Sequence, residues 1–137
     1  MNIFKFFRRK KKAKIEELSE EALKWNKMWD LWVNGEIESP YKELMEYSSG
    51  INNGGHHCHF DNIYGNQDLS TYVQQLILIL DGSLKLNITN AFNAYMENPD
   101  DASDENVAIL EKCDNVFYKH EDKINRLLQE RANKIEL

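Results

Sequence analysis

Leu69-Ser70-Thr71-Tyr72-Val73-Gln74-Gln75-Leu76-Ile77-Leu78-Ile79-Leu80 is the stretch on which the fold class turns. Its last five residues form the longest apolar run in the chain and would suit a buried strand as well as a helix. The residues before them separate the two readings. Leu69, Tyr72, Val73, Leu76, Ile77 and Leu80 recur at steps of three and four, the period of one helix face, and Gly82 stands where a helix C-cap would. Helix is the better reading. The expected fold is therefore all-α, a single domain of about five or six helices with a basic N-terminal extension.

Working outward, Ser83 opens the next predicted helix, with Leu84, Ile88, Ala91, Phe92, Tyr95 and Met96 inward. Asn98 to Asp101 reads as a loop, and Ser103 or Asp104 caps a long final stretch. There Val107, Leu110, Cys113, Phe117, Ile124, Leu128 and Ile135 share a face, in one helix or in two with a bend near His120. Upstream, Asn52-Asn53-Gly54-Gly55 is the strongest breaker in the chain. A helix is expected to start within or just after His56 to Asn62 and to end near Gly65. Ser39-Pro40 reads as an N-cap followed by proline at the first helical position, with Tyr41, Leu44, Met45 and Tyr47 inward. Ile15, Leu18, Ala22, Trp25, Trp29 and Trp32 mark the first helix, which Asn34-Gly35 stops. The predicted core contains Trp25, Trp29, Leu44, Leu76, Ile77, Phe92 and Phe117.

Over 137 residues the composition is globular, with 42% hydrophobic and 29% charged residues. No apolar run approaches the roughly 18 residues of a membrane span. No apolar segment follows Arg8 to make residues 1–7 a signal peptide, so the expected compartment is the cytoplasm. A reducing compartment also argues against a bond between Cys58 and Cys113. The net charge of −6 hides a division. Residues 1–14 hold seven of the 17 basic residues, among them Lys5, Arg8, Arg9, Lys10, Lys11 and Lys12, and no acid. The remainder keeps ten basic residues against all 23 acids, a net −13. The tail also carries Phe4, Phe6 and Phe7, a mixture suited to peripheral contact with an anionic lipid surface. It could equally touch phosphates non-specifically, extend the first helix into solvent, or lie on an acidic face of its own or a neighbouring copy.

His56-His57-Cys58-His59 is the one cluster with soft-ligand chemistry, the donor set that zinc, copper or nickel prefer. On a helix His56 and His59 share one face and His57 and Asp61 another, so the four do not point to one centre. No second ligand pair stands at a zinc-finger spacing, and no bound metal or cofactor is expected. A thiol nucleophile needs an aligned base, which neighbours on a helix do not supply. The chain has no phosphate-binding loop, no dinucleotide fingerprint and no nucleophile elbow. Asn53, Gly54, Gly55 and Asn62 are read as a structural turn.

Tyr47 to Asn62, YSSGINNGGHHCHFDN, resembles the Asn-Gly-Gly signature of a bacterial all-helical family that includes an acidic DNA-mimic protein. Asn53, Gly54, Gly55, Phe60 and Asn62 match in place. His56 stands where that family has phenylalanine and Cys58 where it has glutamine. Asp114, Phe117, Tyr118 and Leu127 resemble its later aspartate, paired aromatics and leucine. The resemblance spans roughly residues 22–135 and implies an all-helical fold. It also implies a role in binding a helix-turn-helix regulator by presenting carboxylates in place of phosphates. With the −13 body, it makes a non-enzymatic acidic interaction protein the leading expectation. Its candidate surface is Glu36, Glu38, Glu43 and Glu46 together with Asp100, Asp101, Asp104 and Glu105. A basic protein partner is expected, and direct nucleic-acid binding is not. The alternatives are a metal-binding protein and a membrane-surface protein held by its tail.

Overall fold

Residues 18–137 are described in a computed structural model, and they form five helices: α1 (Glu20–Val33), α2 (Tyr41–Tyr64), α3 (Leu69–Ile79), α4 (Gly82–Met96) and α5 (Asp104–Ala132). Ile15 and the basic tail lie outside the described residues. Among the described residues there is no strand, and the fold is an all-α single domain. The ambiguous run is helical to Ile79, and Leu80 takes extended dihedrals as its C-cap. Gly82 does not cap α3. Only Leu80 and Asp81 separate the two helices, and Gly82, at a φ of 52°, already opens α4.

Local chemistry explains most boundaries. The hydroxyl of Ser19 accepts the Ala22 N–H at 3.1 Å, Asp68 accepts from Ser70, and Ser103 accepts from Asn106, each satisfying an amide that has no helical partner. Ser39 does not act as the expected N-cap. The Ser39-Pro40 bond is cis, Pro40 occupies the cap position, and the Ser39 hydroxyl donates to Glu43 Oε2 at 2.8 Å. Gly35, at a φ of 73°, ends the α1 segment as expected. α5 runs unbroken through His120.

The expected break at Asn52 to Gly55 is a kink within one helical run. Asn53 and Gly54 keep helical dihedrals, and Gly55 alone departs, with φ 81° and ψ 177°. A single glycine in a mirror-image conformation redirects the axis, and the chain resumes helix at His56 without a loop.

α5 is the spine, packed against α4, α2 and α1, while α3 bridges α2 and α4. Leu44, Met45, Tyr47, Ile51, Phe60, Leu76, Ile88, Phe117, Ile124 and Leu128 are fully buried between these elements. Burial of each such side chain contributes roughly 1.5–3 kcal/mol. Trp25, Trp29, Ile77 and Phe92 are only partly buried and pack against this core from its rim. On α1 the fully buried residue is Met28, while Leu18 and Met96 are exposed. The reason is geometric: α1 lies mainly along one helix, α5, so its indoles cover an edge instead of filling an interior. They meet edge-to-face, with centroids 6.2 Å apart for Trp25 and Trp29 and 5.4 Å apart for Trp29 and Trp32.

The two neighbouring glycines should respond differently to alanine. At Gly55 an added Cβ would sit 2.5 Å from Asp114 Oδ2 on a backbone with positive φ. At Gly54 it would meet only the Cys58 side chain, at 3.1 Å. Gly55→Ala should cost about 2 kcal/mol or more, and Gly54→Ala should stay within about 1 kcal/mol of the parent. Urea unfolding of both variants, with equal losses as the contrary result, checks this.

Candidate functional site

The kink leaves the second half of α2 with an N-terminus of its own, and the first amide there needs an acceptor. Asp114 of α5 supplies it. Its Oδ1 accepts from the His56 backbone N–H at 2.7 Å and from the His56 ring at Nδ1, 2.6 Å away. With Nδ1–H given to the carboxylate, Nε2 is left to accept from the Tyr47 hydroxyl at 2.5 Å. Tyr47 and His56 are both 0% exposed, whereas the Asp114 side chain keeps 25% exposure. Burial holds the Tyr47 hydroxyl protonated, its ionisation pushed well above the usual tyrosine value.

His59, one turn on, is also buried, and its Nε2 lies 2.7 Å from the Tyr72 hydroxyl. That hydroxyl donates to the Glu43 carbonyl at 3.3 Å, so the ring acts as donor toward Tyr72. The ring fits only because residue 50 is glycine: a Cβ there would overlap it. Desolvation first, and then a coulombic contribution from His56, lowers the His59 pKa to about 4. His57 faces outward, with Nε2 3.8 Å from Asp61 Oδ2 and its ring edge-on to Tyr95. Tyr95 donates to the other Asp61 oxygen at 2.6 Å. Cys58 is exposed beside Gly54, while Cys113 is buried, and both are free thiols.

The four residues of the soft-ligand cluster thus point in different directions, with the rings of His56 and His59 engaged by Asp114, Tyr47 and Tyr72. Among the described residues no group of three or more His, Cys, Asp or Glu is placed to hold a metal ion. The expected turn residues are also redistributed. Asn53 makes no side-chain hydrogen bond among the described residues, since the backbone groups freed at the kink are met from α5, the His56 amide by Asp114 and the Ile51 carbonyl by Tyr118. Asn52 does the bonding, donating to the Ser48 carbonyl at 2.8 Å and to Glu121 at 2.6 Å. Asn62 only approaches Cys58 Sγ, at 4.0 Å. Asp114 and Tyr47 are the partners that local reading missed. The available signal was a carboxylate at residue 114, on the stripe that carries Leu110 and Phe117.

The candidate acidic residues divide into two kinds. Glu38 is clamped by Arg131 through Nε and Nη2 at 2.7 and 2.8 Å, and that pairing lowers its pKa. Glu43 is bonded to Ser39, and its Oε1 is buried. Glu46 accepts from Gln67 at 3.1 Å, and burial raises its pKa. Glu36 is exposed, and so is Glu38, whose carboxylate Arg131 nevertheless holds. Asp100, Asp101, Asp104 and Glu105 are all exposed, on the α4–α5 connection and the first turn of α5, with Glu97 beside them. No lysine or arginine among the described residues forms an ion pair with any of these five carboxylates. The tail cations Lys5, Arg8, Arg9, Lys10, Lys11 and Lys12 lie outside the described residues. Among the described residues no helix is long and apolar enough to cross a membrane. Comparison with known protein families, with curated proteins and with solved structures finds no match for the chain.

Two measurements follow from the buried network. Asp114→Ala would leave the His56 amide and ring nitrogen buried without their acceptor, and should cost roughly 2–4 kcal/mol in urea unfolding. A loss under 1 kcal/mol would show that water replaces the carboxylate. His59 binds its proton near pH 6.5 when unfolded but only near pH 4 when folded, so stability present above pH 6.5 is lost as the pH falls. The parent should lose about 2 kcal/mol between pH 7 and pH 5 from this group, and His59→Gln should remove that portion of the slope. Identical slopes in parent and variant would refute the assignment.

Proposed function

We propose that this protein is a non-catalytic binding module that engages a basic protein partner through the acidic α4–α5 connection. The observation that carries this reading is the set of five exposed carboxylates between Glu97 and Glu105, none of which forms an ion pair among the described residues. The acids at 38, 43 and 46 are engaged within the fold and contribute little free field. Unneutralised carboxylates crowded on one rim set up a local negative potential that speeds encounter with a positive surface and weakens with salt. The resemblance of residues 47–62 to the Asn-Gly-Gly signature makes a DNA-binding regulator the preferred kind of partner.

The non-catalytic part of the reading rests on burial. Asp114, His56 and Tyr47 follow the acid, base and hydroxyl order of a hydrolytic triad. The hydroxyl and the imidazole are both sealed from solvent, so no substrate reaches them. The chain of hydrogen bonds serves the kink instead. Cross-linking capture from the native cell with the parent and with an Asp100→Asn, Asp101→Asn, Asp104→Asn, Glu105→Gln variant tests the proposal. The parent should retain a basic protein at low salt, and the neutralised variant should lose most of it. Equal capture by both, or a captured protein of acidic charge, would remove the basis of this function.

A further inference from the structure

A groove of about 470 Å³ runs between α4 and α5 and ends at the acidic connection. One wall is amide-rich: Asn87, Asn90 and Asn93 repeat every three residues along α4, and Asn106 faces them from α5. The lining also includes the apolar Ala94, Ile109 and Val116, with Lys112 part-way along the α5 side. Asn87 and Asn106 are only 5% and 6% exposed. Their side-chain nitrogens are committed, Asn87 Nδ2 donating to the Cys113 carbonyl at 2.8 Å and Asn106 Nδ2 to Glu97 Oε2. Those bonds fix each amide plane. Neither side-chain oxygen accepts a hydrogen bond among the described residues. Both residues line the groove. Asn90 and Asn93 are exposed and make no side-chain hydrogen bond among the described residues.

We infer that this groove binds an extended peptide segment of the basic partner, cationic at the end that lies over Glu97 to Glu105. A side-chain amide offers a carbonyl acceptor and N–H donors, which can pair with the N–H and the C=O of a peptide main chain. A row of amides beside an apolar wall therefore suits a backbone that bonds on one side and buries alternate side chains on the other. From Asn106 to Val116 the groove is about 15 Å long at 1.5 Å of rise per residue, room for four or five extended residues. Its polarity orients the occupant. Five carboxylates at one end receive lysine or arginine. This inference rests on the acidic reading above and adds to it a defined seat for the partner.

The test uses the full chain and a fluorescein-labelled peptide of three cations followed by four alternating alanines and valines, with a free C-terminus, read by anisotropy. Asn90→Ala with Asn93→Ala, two exposed positions that leave the anchored amides intact, should weaken binding about tenfold at every salt concentration. The fourfold neutralised variant should weaken it at low salt, and its deficit should shrink as salt rises. If the asparagine pair has no effect while the neutralised variant does, the groove is not the seat and the acidic reading survives. If only the asparagine pair matters, the groove stands and the acidic reading falls. If neither matters, both fall. Tight binding that appears only after Lys5, Arg8, Arg9, Lys10, Lys11 and Lys12 are changed to glutamine would identify the chain's own N-terminal segment as the occupant, overturning the assignment to a partner.

Discussion

Asp114 and Gly55 hold the fold together as a pair. Without a residue tolerant of positive φ the second helix could not turn, and without a carboxylate across the gap its first amide would be buried unpaired. Each leaves room for the other, since the oxygen that lies against Gly55 belongs to the carboxylate that bonds His56. Everything inward of the kink follows from this register. His56 is brought under Tyr47, Phe60 and Phe117 close over the imidazole, and His59 falls into the space cleared by Gly50. The result is a polar thread inside an aromatic core, with every link hydrogen-bonded. That is the condition under which buried polarity is tolerated.

Helical periodicity was legible because it depends only on neighbours three and four residues away. The stripe from Leu69 to Leu80 and the long apolar face of the last helix were both readable on that basis. The pairing of His56 with His59, and of His57 with Asp61, was also readable as faces of a helix. What could not be read was anything supplied from across the core. Gly54 and Gly55 look alike in the sequence, yet one continues a helix and the other reverses a dihedral, because Asp114 waits 59 residues downstream of Gly55. The tryptophans keep perfect helical spacing, but how deep they sit depends on how many helices surround α1, which no local pattern records. Ser39 failed as a cap for a related reason, its hydroxyl being taken by Glu43.

The acidic excess is likewise sorted by tertiary structure. Glu38, Glu43 and Glu46 are close in sequence to Glu36, but three of the four are turned to structural use by Arg131, Ser39 and Gln67. Asp100, Asp101, Asp104 and Glu105 escape this, since among the described residues no side chain bonds to their carboxylates, while Glu97 accepts from Asn106. Placing Asp104 and Glu105 in the first turn of α5 also sets them against the positive end of the helix dipole, which eases their crowding. A negative rim can therefore persist at little cost to the fold.

All three tryptophans of the chain lie on α1. That helix is seated by its partly buried indoles, by the buried Met28, and by polar ties from Lys24 to the Asn133 carbonyl and from Gln129 to the Glu21 carbonyl. Intrinsic fluorescence in this protein is consequently a local signal, reporting whether one peripheral helix is seated on its neighbour. Helical circular dichroism, by contrast, samples the whole chain. If α1 detaches before the rest melts, the two signals will separate, and an emission midpoint taken alone would understate the stability of the body that carries the kink and the acidic rim.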